Sequence, residues 1–266
     1  MFQITILFLY FGAAIAFAMS RLPGNAGRAR LLAGGAFALG IIAVVLHAQL
    51  TYTALIAGNS VAATAAVSLI GLQLGVIALL GALVQNLRGF SAGLLLLAAL
   101  MALAAGPDDI ADAGTALSWQ MRTHILTSLF AYGLLTVGAI VAVFALVQLR
   151  RLKSAKLSAA NQLFAPLETT ESLLFAISIA GFTVLALSVI SGFTFVEDLF
   201  AQHLVHKTTL SLLALVVFGV LLIGRHFAGW RGRRALYLYL AGFGILCLAY
   251  FGSRYILEQV LGYSWS

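Results

Sequence analysis

Residues 206–254 read HKTTLSLLALVVFGVLLIGRHFAGWRGRRALYLYLAGFGILCLAYFGSR, and this stretch decides the fold class. It holds two apolar runs, each long enough at ~1.5 Å per residue to cross the ~30 Å hydrocarbon core of a bilayer. Between them lies the turn Arg225-His226-Phe227-Ala228-Gly229-Trp230-Arg231-Gly232-Arg233-Arg234. Lys and Arg beside membrane helices stay on the cytoplasmic side, so four arginines within this turn place it inside. His206 and His226 bracket the first run, with nothing ionisable between Lys207 and Arg225. The two histidines are therefore expected at opposite membrane faces.

The rest of the chain has the same character. It is 62% hydrophobic and only 9% charged, where a water-soluble domain carries roughly a quarter charged residues. Long apolar runs without two-residue alternation exclude barrel strands, so the chain reads as an all-α polytopic membrane protein. The formal charge of +7 would suit nucleic acid, but the basic residues sit in short loops between apolar runs, where orientation accounts for them and no nucleic-acid partner is expected. A single cysteine, Cys247, falls inside the last run, which excludes an intrachain disulfide and covalent haem attachment through Cys-x-x-Cys. Met1-Phe2-Gln3 leads into an apolar run with no preceding basic segment, so the first helix is expected to be retained with its N-terminus outside. The longest polar stretch is about twenty residues, too short for a soluble domain.

Taken in order, the sequence predicts one membrane domain over 1–266 with eight helices at about 4–19, 31–52, 61–85, 90–105, 117–149, 173–195, 207–226 and 235–257. The inner loops then carry Arg21, Arg28 and Arg30, then Arg88, then Arg150, Arg151, Lys153 and Lys156, and finally Arg225, Arg231, Arg233 and Arg234. Only Arg122, Lys207 and Arg254 depart from that side. Asp108, Asp109 and Asp112 fall in an outer loop, as do Glu197, Asp198, His203 and His206. Both termini are accordingly predicted on the periplasmic or outer side. The fifth helix exceeds the membrane thickness and must tilt or project, with Trp119 as an interfacial anchor. No internal repeat is evident, and Gly71, Gly75, Gly242 and Gly244 read as close-packing positions.

Ionisable groups inside a membrane are costly and mark functional suspects, which directs attention to the histidines. His47, His124 and His206 fall toward the outer half on the second, fifth and seventh helices. Imidazole is a common axial ligand of haem iron, and histidines from different helices can clamp an iron in an apolar pocket. Each histidine equally suits a plainer role, donating to a carbonyl or resting at the headgroup level. His203 and His206 share a helical face but lack the further ligands of a zinc site. Glu197-Asp198 reads as a solvated surface pair. There is no nucleophile–base constellation, phosphate loop or H-E-x-x-H, so catalysis has no candidate residues and the chain is not expected to be an enzyme.

Three segments resemble the cytochrome c assembly protein family of the CcsA/ResC type, and more closely its smaller YpjD/HemX-like inner membrane members. They are the Gly229-Trp230-Arg231-Gly232-Arg233-Arg234 turn, the helix ending Ala249-Tyr250-Phe251-Gly252-Ser253-Arg254, and His124-Ile125-Leu126-Thr127-Ser128-Leu129-Phe130-Ala131-Tyr132. The resemblance covers about the last 150 residues well and the first 110 weakly. It implies that His124 is a haem ligand within the membrane, and His226 lies nearest to the family's second membrane histidine. The family's tryptophan-rich outer loop is represented only by Leu204-Val205-His206-Lys207-Thr208, and Leu261-Gly262-Tyr263-Ser264-Trp265 has no counterpart of its last outer histidine. What the resemblance implies is thus binding or moving haem within the membrane, rather than presenting it at the outer surface.

The expectation is a multi-pass protein of a bacterial inner membrane that binds a non-covalent, b-type haem. His124, His47, His206 and His226 are the candidate ligands. Trp230, Arg231, Arg233 and Arg234 are expected to set topology or to contact an anion, either haem propionates or anionic lipid. The bilayer is the expected partner, with other membrane or haem-biogenesis proteins beside it. A non-haem scaffold or regulator of tetrapyrrole synthesis, or of a neighbouring transporter, is the competing class. A solute transporter would need a polar midplane that these helices mostly lack.

Overall fold

The apolar runs become helices because only a helix satisfies every backbone donor and acceptor within one segment when no water is at hand. The computed structural model describes residues 1–53, 63–104, 118–153, 166–195 and 205–252, and among these it is helical with no strand. The helices are α1 (Phe2–Met19), α2 (Ala29–Tyr52), α3 (Ala63–Ala82), α4 (Arg88–Met101), α5 (Trp119–Lys153), α6 (Leu167–Phe195), α7 (Val205–Ala228) and α8 (Gly232–Cys247). Short 3-10 turns at Pro23–Arg28 and Gln85–Leu87 join the first and third helices to their successors, and a π turn, Leu248–Gly252, continues α8.

Among the described residues, six segments are long and apolar enough to cross a membrane: Phe2–Met19, Pro23–Tyr52, Thr64–Ala82, Trp119–Arg151, Leu167–Phe195 and Val205–Ala228. The chain is a multi-pass membrane protein. At ~1.5 Å per residue α4 spans only about 21 Å and α8 about 24 Å, both short of a full crossing as regular α-helix. By the same rise α5 reaches about 52 Å, in keeping with an expected tilt or projection. Helix α6 begins at Leu167, six residues before the expected 173, because Glu168-Thr169-Thr170-Glu171 are helical although polar. Pro166 stands just ahead of the first turn, and Glu168 within it suits the positive end of the helix dipole. The acidic residues 108–112, Glu197, Asp198, His203 and Arg254 lie outside the described residues.

The contacts fall into two compact units. The first contains α1 to α4: α1 packs on α2 and α4, and α3 on α2 and α4. Its core mixes large and small side chains, with Ile6, Tyr10 and Phe17 of α1 buried together with the small residues Ala33, Ala36, Gly40 and Ala43 of α2. Without a hydrophobic drive between helices in lipid, such small residues hold helices together by letting backbones approach. Gly71, for instance, faces Met101 and His47, and Gly75 faces Tyr10, whereas nothing lies within 4 Å of the Gly244 Cβ position.

The second unit contains α5 to α8, with α5 on α6 and α8, and α7 on α6 and α8. Two tyrosines stitch α5 to α8: Tyr132 donates to the Leu246 carbonyl at 2.6 Å, and Tyr239 to the Leu135 carbonyl at 3.0 Å. The Leu246 carbonyl is thus engaged by a side chain just before the helix widens into its π turn. Arg225 lies over the Phe175 ring at 4.4 Å, and a Cβ at Gly219 would stand 3.6 Å from Phe182. These pairs run α6 and α7 antiparallel in a register that brings His206 level with the C-terminal end of α6. In both units the outward faces carry large apolar side chains such as Phe8, Ile41, Val45, Leu80, Ile179, Leu187 and Val216, as a lipid-facing surface requires.

Candidate functional site

His124 sits near the head of α5, half-buried, where the C-terminal end of α6 crosses it. Its Nδ1 is 2.9 Å from Ser191 Oγ, the Ser188 backbone is a second hydrogen-bond partner of the ring, and no hydrogen bond to Nε2 is found among the described residues. A Cβ on Gly192 would meet His124 Cε1 at 3.1 Å, so the imidazole lies flush on backbone that only glycine leaves open. The carbonyl of His124 is tied as well. Ser128 Oγ donates to it at 2.7 Å and stands 2.6 Å from Ser188 Oγ. Trp119 and Phe195, in edge contact at 6.0 Å between ring centroids, lie at this same end of the helix pair. The arrangement is a half-exposed imidazole with one ring nitrogen anchored and the other open, which is what an axial metal ligand requires.

His47 is arranged differently. It is fully buried in the first unit, and both ring nitrogens are engaged: Nδ1 by Tyr10 Oη at 3.2 Å and Nε2 by Ser68 Oγ at 3.0 Å. The proton directions follow from one carbonyl. Thr51 Oγ1 donates to the His47 carbonyl at 2.9 Å, so across its 3.3 Å contact with Ser68 it must accept. Ser68 then accepts from Nε2–H, and Nδ1 accepts from the Tyr10 hydroxyl. The result is a chain from Tyr10 through His47 and Ser68 to Thr51 and back to the His47 backbone, in which every hydroxyl proton is used. An iron could take a nitrogen of His47 only by displacing one of these partners.

The remaining candidates divide by the ends of the second unit. His206 is exposed at the first turn of α7, at the same end as His124. His226 is exposed at the other end, packed edge-on against Phe227 at 4.8 Å, about 30 Å away along α7 at ~1.5 Å per residue. His226 and His124 are thus too far apart to serve one iron.

The basic turn is built as a fixed structure. Gly229 and Gly232 have φ of 61° and 60°, a region in which a side chain costs energy. The first of them lets the Trp230 amide return to the Gly224 carbonyl at 3.1 Å, laying the indole over Gly224. Arg234 stacks on the Trp230 ring at 3.9 Å, and Arg225 donates to the Trp230 carbonyl at 3.4 Å. Glu171 of α6 accepts the Gly232 amide at 3.0 Å, filling the N-terminal end of α8 with its own carboxylate. Arg231, Arg233 and Arg234 remain exposed. Along α6, Glu171 and Ser191 are about 30 Å apart at ~1.5 Å per residue. The turn therefore lies at the opposite end of the unit from His124, about 30 Å away.

Ser128, Ser188, Ser191 and Gly192, and likewise Tyr10, Thr51, Ser68 and Glu171, were not legible as site residues. The one local signal is spacing, with Ser128 four residues after His124 and Ser191 three after Ser188, each pair on one helical face.

The family described as Cytochrome C assembly protein matches residues 36–261. The chain is similar to inner membrane protein YpjD of Escherichia coli K12, 40% identical over 141 residues, which is 53% of each chain. It is also similar to an uncharacterized 28.8 kDa protein in a nifR3-like 5' region of Azospirillum brasilense, 32% identical over 141 residues and 52% of each chain. The matched segments span about half the length of these relatives, and no solved structure gives a significant match.

Proposed function

The chain belongs to the cytochrome c assembly protein family, and from that premise we propose that it binds and handles a non-covalent, b-type haem within a bacterial inner membrane, in support of cytochrome c biogenesis and without catalysing a reaction of its own. The observation that carries this reading is His124. Its Nδ1 is held by Ser191, its ring rests on Gly192, and its Nε2 makes no hydrogen bond among the described residues. Haem bound there would supply an iron able to exchange an axial ligand or an electron. The protein's own part is to hold the imidazole in one orientation and to surround it with the apolar ends of α5 and α6. His206, at the same end of the unit, is the candidate second ligand, ahead of His47 and His226.

The topology belongs to the same proposal: eight crossings, with both termini on the periplasmic side and the arginine turn in the cytoplasm. The bilayer and neighbouring haem-biogenesis proteins are the proposed partners. A scaffold role that keeps the fold without the cofactor is the second reading. It is favoured by the closed hydrogen bonding of His47, which makes the first unit self-sufficient.

The test is the visible spectrum of detergent-purified protein, as isolated and after titration with ferric haem b. A Soret band with sharp reduced α and β bands, lost or shifted in His124→Ala, is expected. A wild type that takes up no haem would transfer the case to the scaffold reading. An unchanged spectrum in the variant would remove His124 as the ligand.

A further inference from the structure

The serine beside His124 fixes more than the position of the ring. Ser191 Oγ lies 2.7 Å from the Ser188 carbonyl, which can only accept, so the single hydroxyl proton of Ser191 is spent there. Its 2.9 Å contact with His124 Nδ1 then needs a proton from the imidazole. A neutral imidazole carries one N–H, and with that proton on Nδ1 the Nε2 lone pair is left bare. The second chain closes consistently: Ser128 spends its proton on the His124 carbonyl, so across the 2.6 Å contact Ser188 donates to Ser128. Ring and backbone of His124 are thus both tied to Ser188, one through Ser191 and one through Ser128. The same reasoning at His47 gives the opposite tautomer, with Nε2 protonated and Nδ1 covered by Tyr10.

We propose that Ser191 is a positioning residue that holds His124 as the Nδ1–H tautomer and so presents Nε2 as the electron-pair donor to a haem iron, with Gly192 giving the ring its seat. The part concerning iron rests on His124 being the axial ligand, and the tautomer does not. Outer hydrogen-bond partners of ligating histidines set ligand orientation and basicity, and their loss typically costs roughly 10- to 100-fold in metal affinity.

The experiment begins without haem. Full-length protein labelled with 15N-histidine is placed in lipid nanodiscs, and the His124 resonances are identified as those missing from His124→Asn. Magic-angle-spinning NMR is expected to show a protonated Nδ1 and a bare Nε2 in the wild type. Ser191→Ala should shift the population toward the Nε2–H form, and Ser191→Thr, which keeps the hydroxyl, should retain the wild-type pattern. Titration with ferric haem b should then give a roughly 10- to 100-fold weaker uptake for Ser191→Ala, with a changed reduction potential, and near-wild-type values for Ser191→Thr. A wild-type His124 protonated on Nε2, or a tautomer unmoved in Ser191→Ala, overturns the assignment. So does a shifted tautomer with undiminished haem affinity. A wild type that shows Nδ1–H, shifted in Ser191→Ala, but takes up no haem sinks the haem reading and upholds the hold of Ser191 on the ring.

Discussion

Two histidines of this chain sit well inside helices, and the hydrogen bonds around them assign them different work. His47 spends both nitrogens on neighbours from α1 and α3, whereas His124 spends one on α6. A polar group without a partner in an apolar interior costs about 1–3 kcal/mol, while a net interhelical hydrogen bond in a membrane averages ~0.6 kcal/mol. The proton directions around His47 therefore rank two substitutions. Tyr10→Phe removes a donor and leaves the Nδ1 lone pair unpaired, which should cost about 1 kcal/mol. Ser68→Ala removes two side-chain hydrogen bonds, to His47 Nε2 and to Thr51 Oγ1, leaving the ring only the Ser68 backbone on that side, and should cost more. Both are expected to lower the thermal unfolding midpoint of the detergent-solubilised protein, Ser68→Ala by the larger margin. Neither should change the Soret band. A Soret band lost in Tyr10→Phe would make the His47 chain part of the cofactor site after all.

The turn between α7 and α8 carries the clearest sequence signature in the chain, and its geometry explains the signature residue by residue. Gly229 and Gly232 hold left-handed backbone, Trp230 folds back on Gly224, and Arg234 covers the indole. A side chain forced into left-handed backbone costs roughly 1–2 kcal/mol. Gly229→Ala and Gly232→Ala should therefore each lower the unfolding midpoint by a few degrees. Gly27→Ala, at a site with open space and no positive φ, is the matched control and should leave it unchanged. Equal effects at all three positions would remove backbone conformation as the reason for the glycines. The helices themselves could be read from the sequence because a membrane span needs only apolar length. The reading starts the sixth helix late because that helix continues through polar residues, as at Glu168–Glu171, and the diversion of the Leu246 carbonyl to Tyr132 ahead of the π turn has no local signal. The sites were less legible still. His124 meets Ser191 across 67 residues, and His47 meets Tyr10 across 37, so a list of histidines cannot tell a spent ring from an open one.

At the scale of the whole molecule, the proposal that the short helix α4 crosses the membrane rests on charge. If α4, with 14 residues, stayed on the inner side, every later helix would invert. Arg150, Arg151, Lys153 and Lys156 would then face outside, as would Arg225, Arg231, Arg233 and Arg234. That would move eight of the fifteen basic residues to the side that Lys and Arg avoid. With α4 crossing, all eight return inside together with Arg21, Arg28, Arg30 and Arg88. The span is also longer than the α-helix alone, because hydrogen-bonded turns continue it through Ala104, and a short span is met by local thinning of the bilayer at modest cost. In its unit α4 packs on both α1 and α3. Fusions of a fluorescent protein that folds only in the cytoplasm, and of alkaline phosphatase that is active only outside, placed after Arg88, Arg151 and Arg231, test the point directly. All three junctions are expected to be fluorescent and phosphatase-negative. Phosphatase activity after Arg151 and Arg231, with fluorescence kept after Arg88, would mean that α4 does not cross and that the second unit is inserted in the opposite sense. His124 would then lie toward the cytoplasm, and haem reaching it would have to enter from that side.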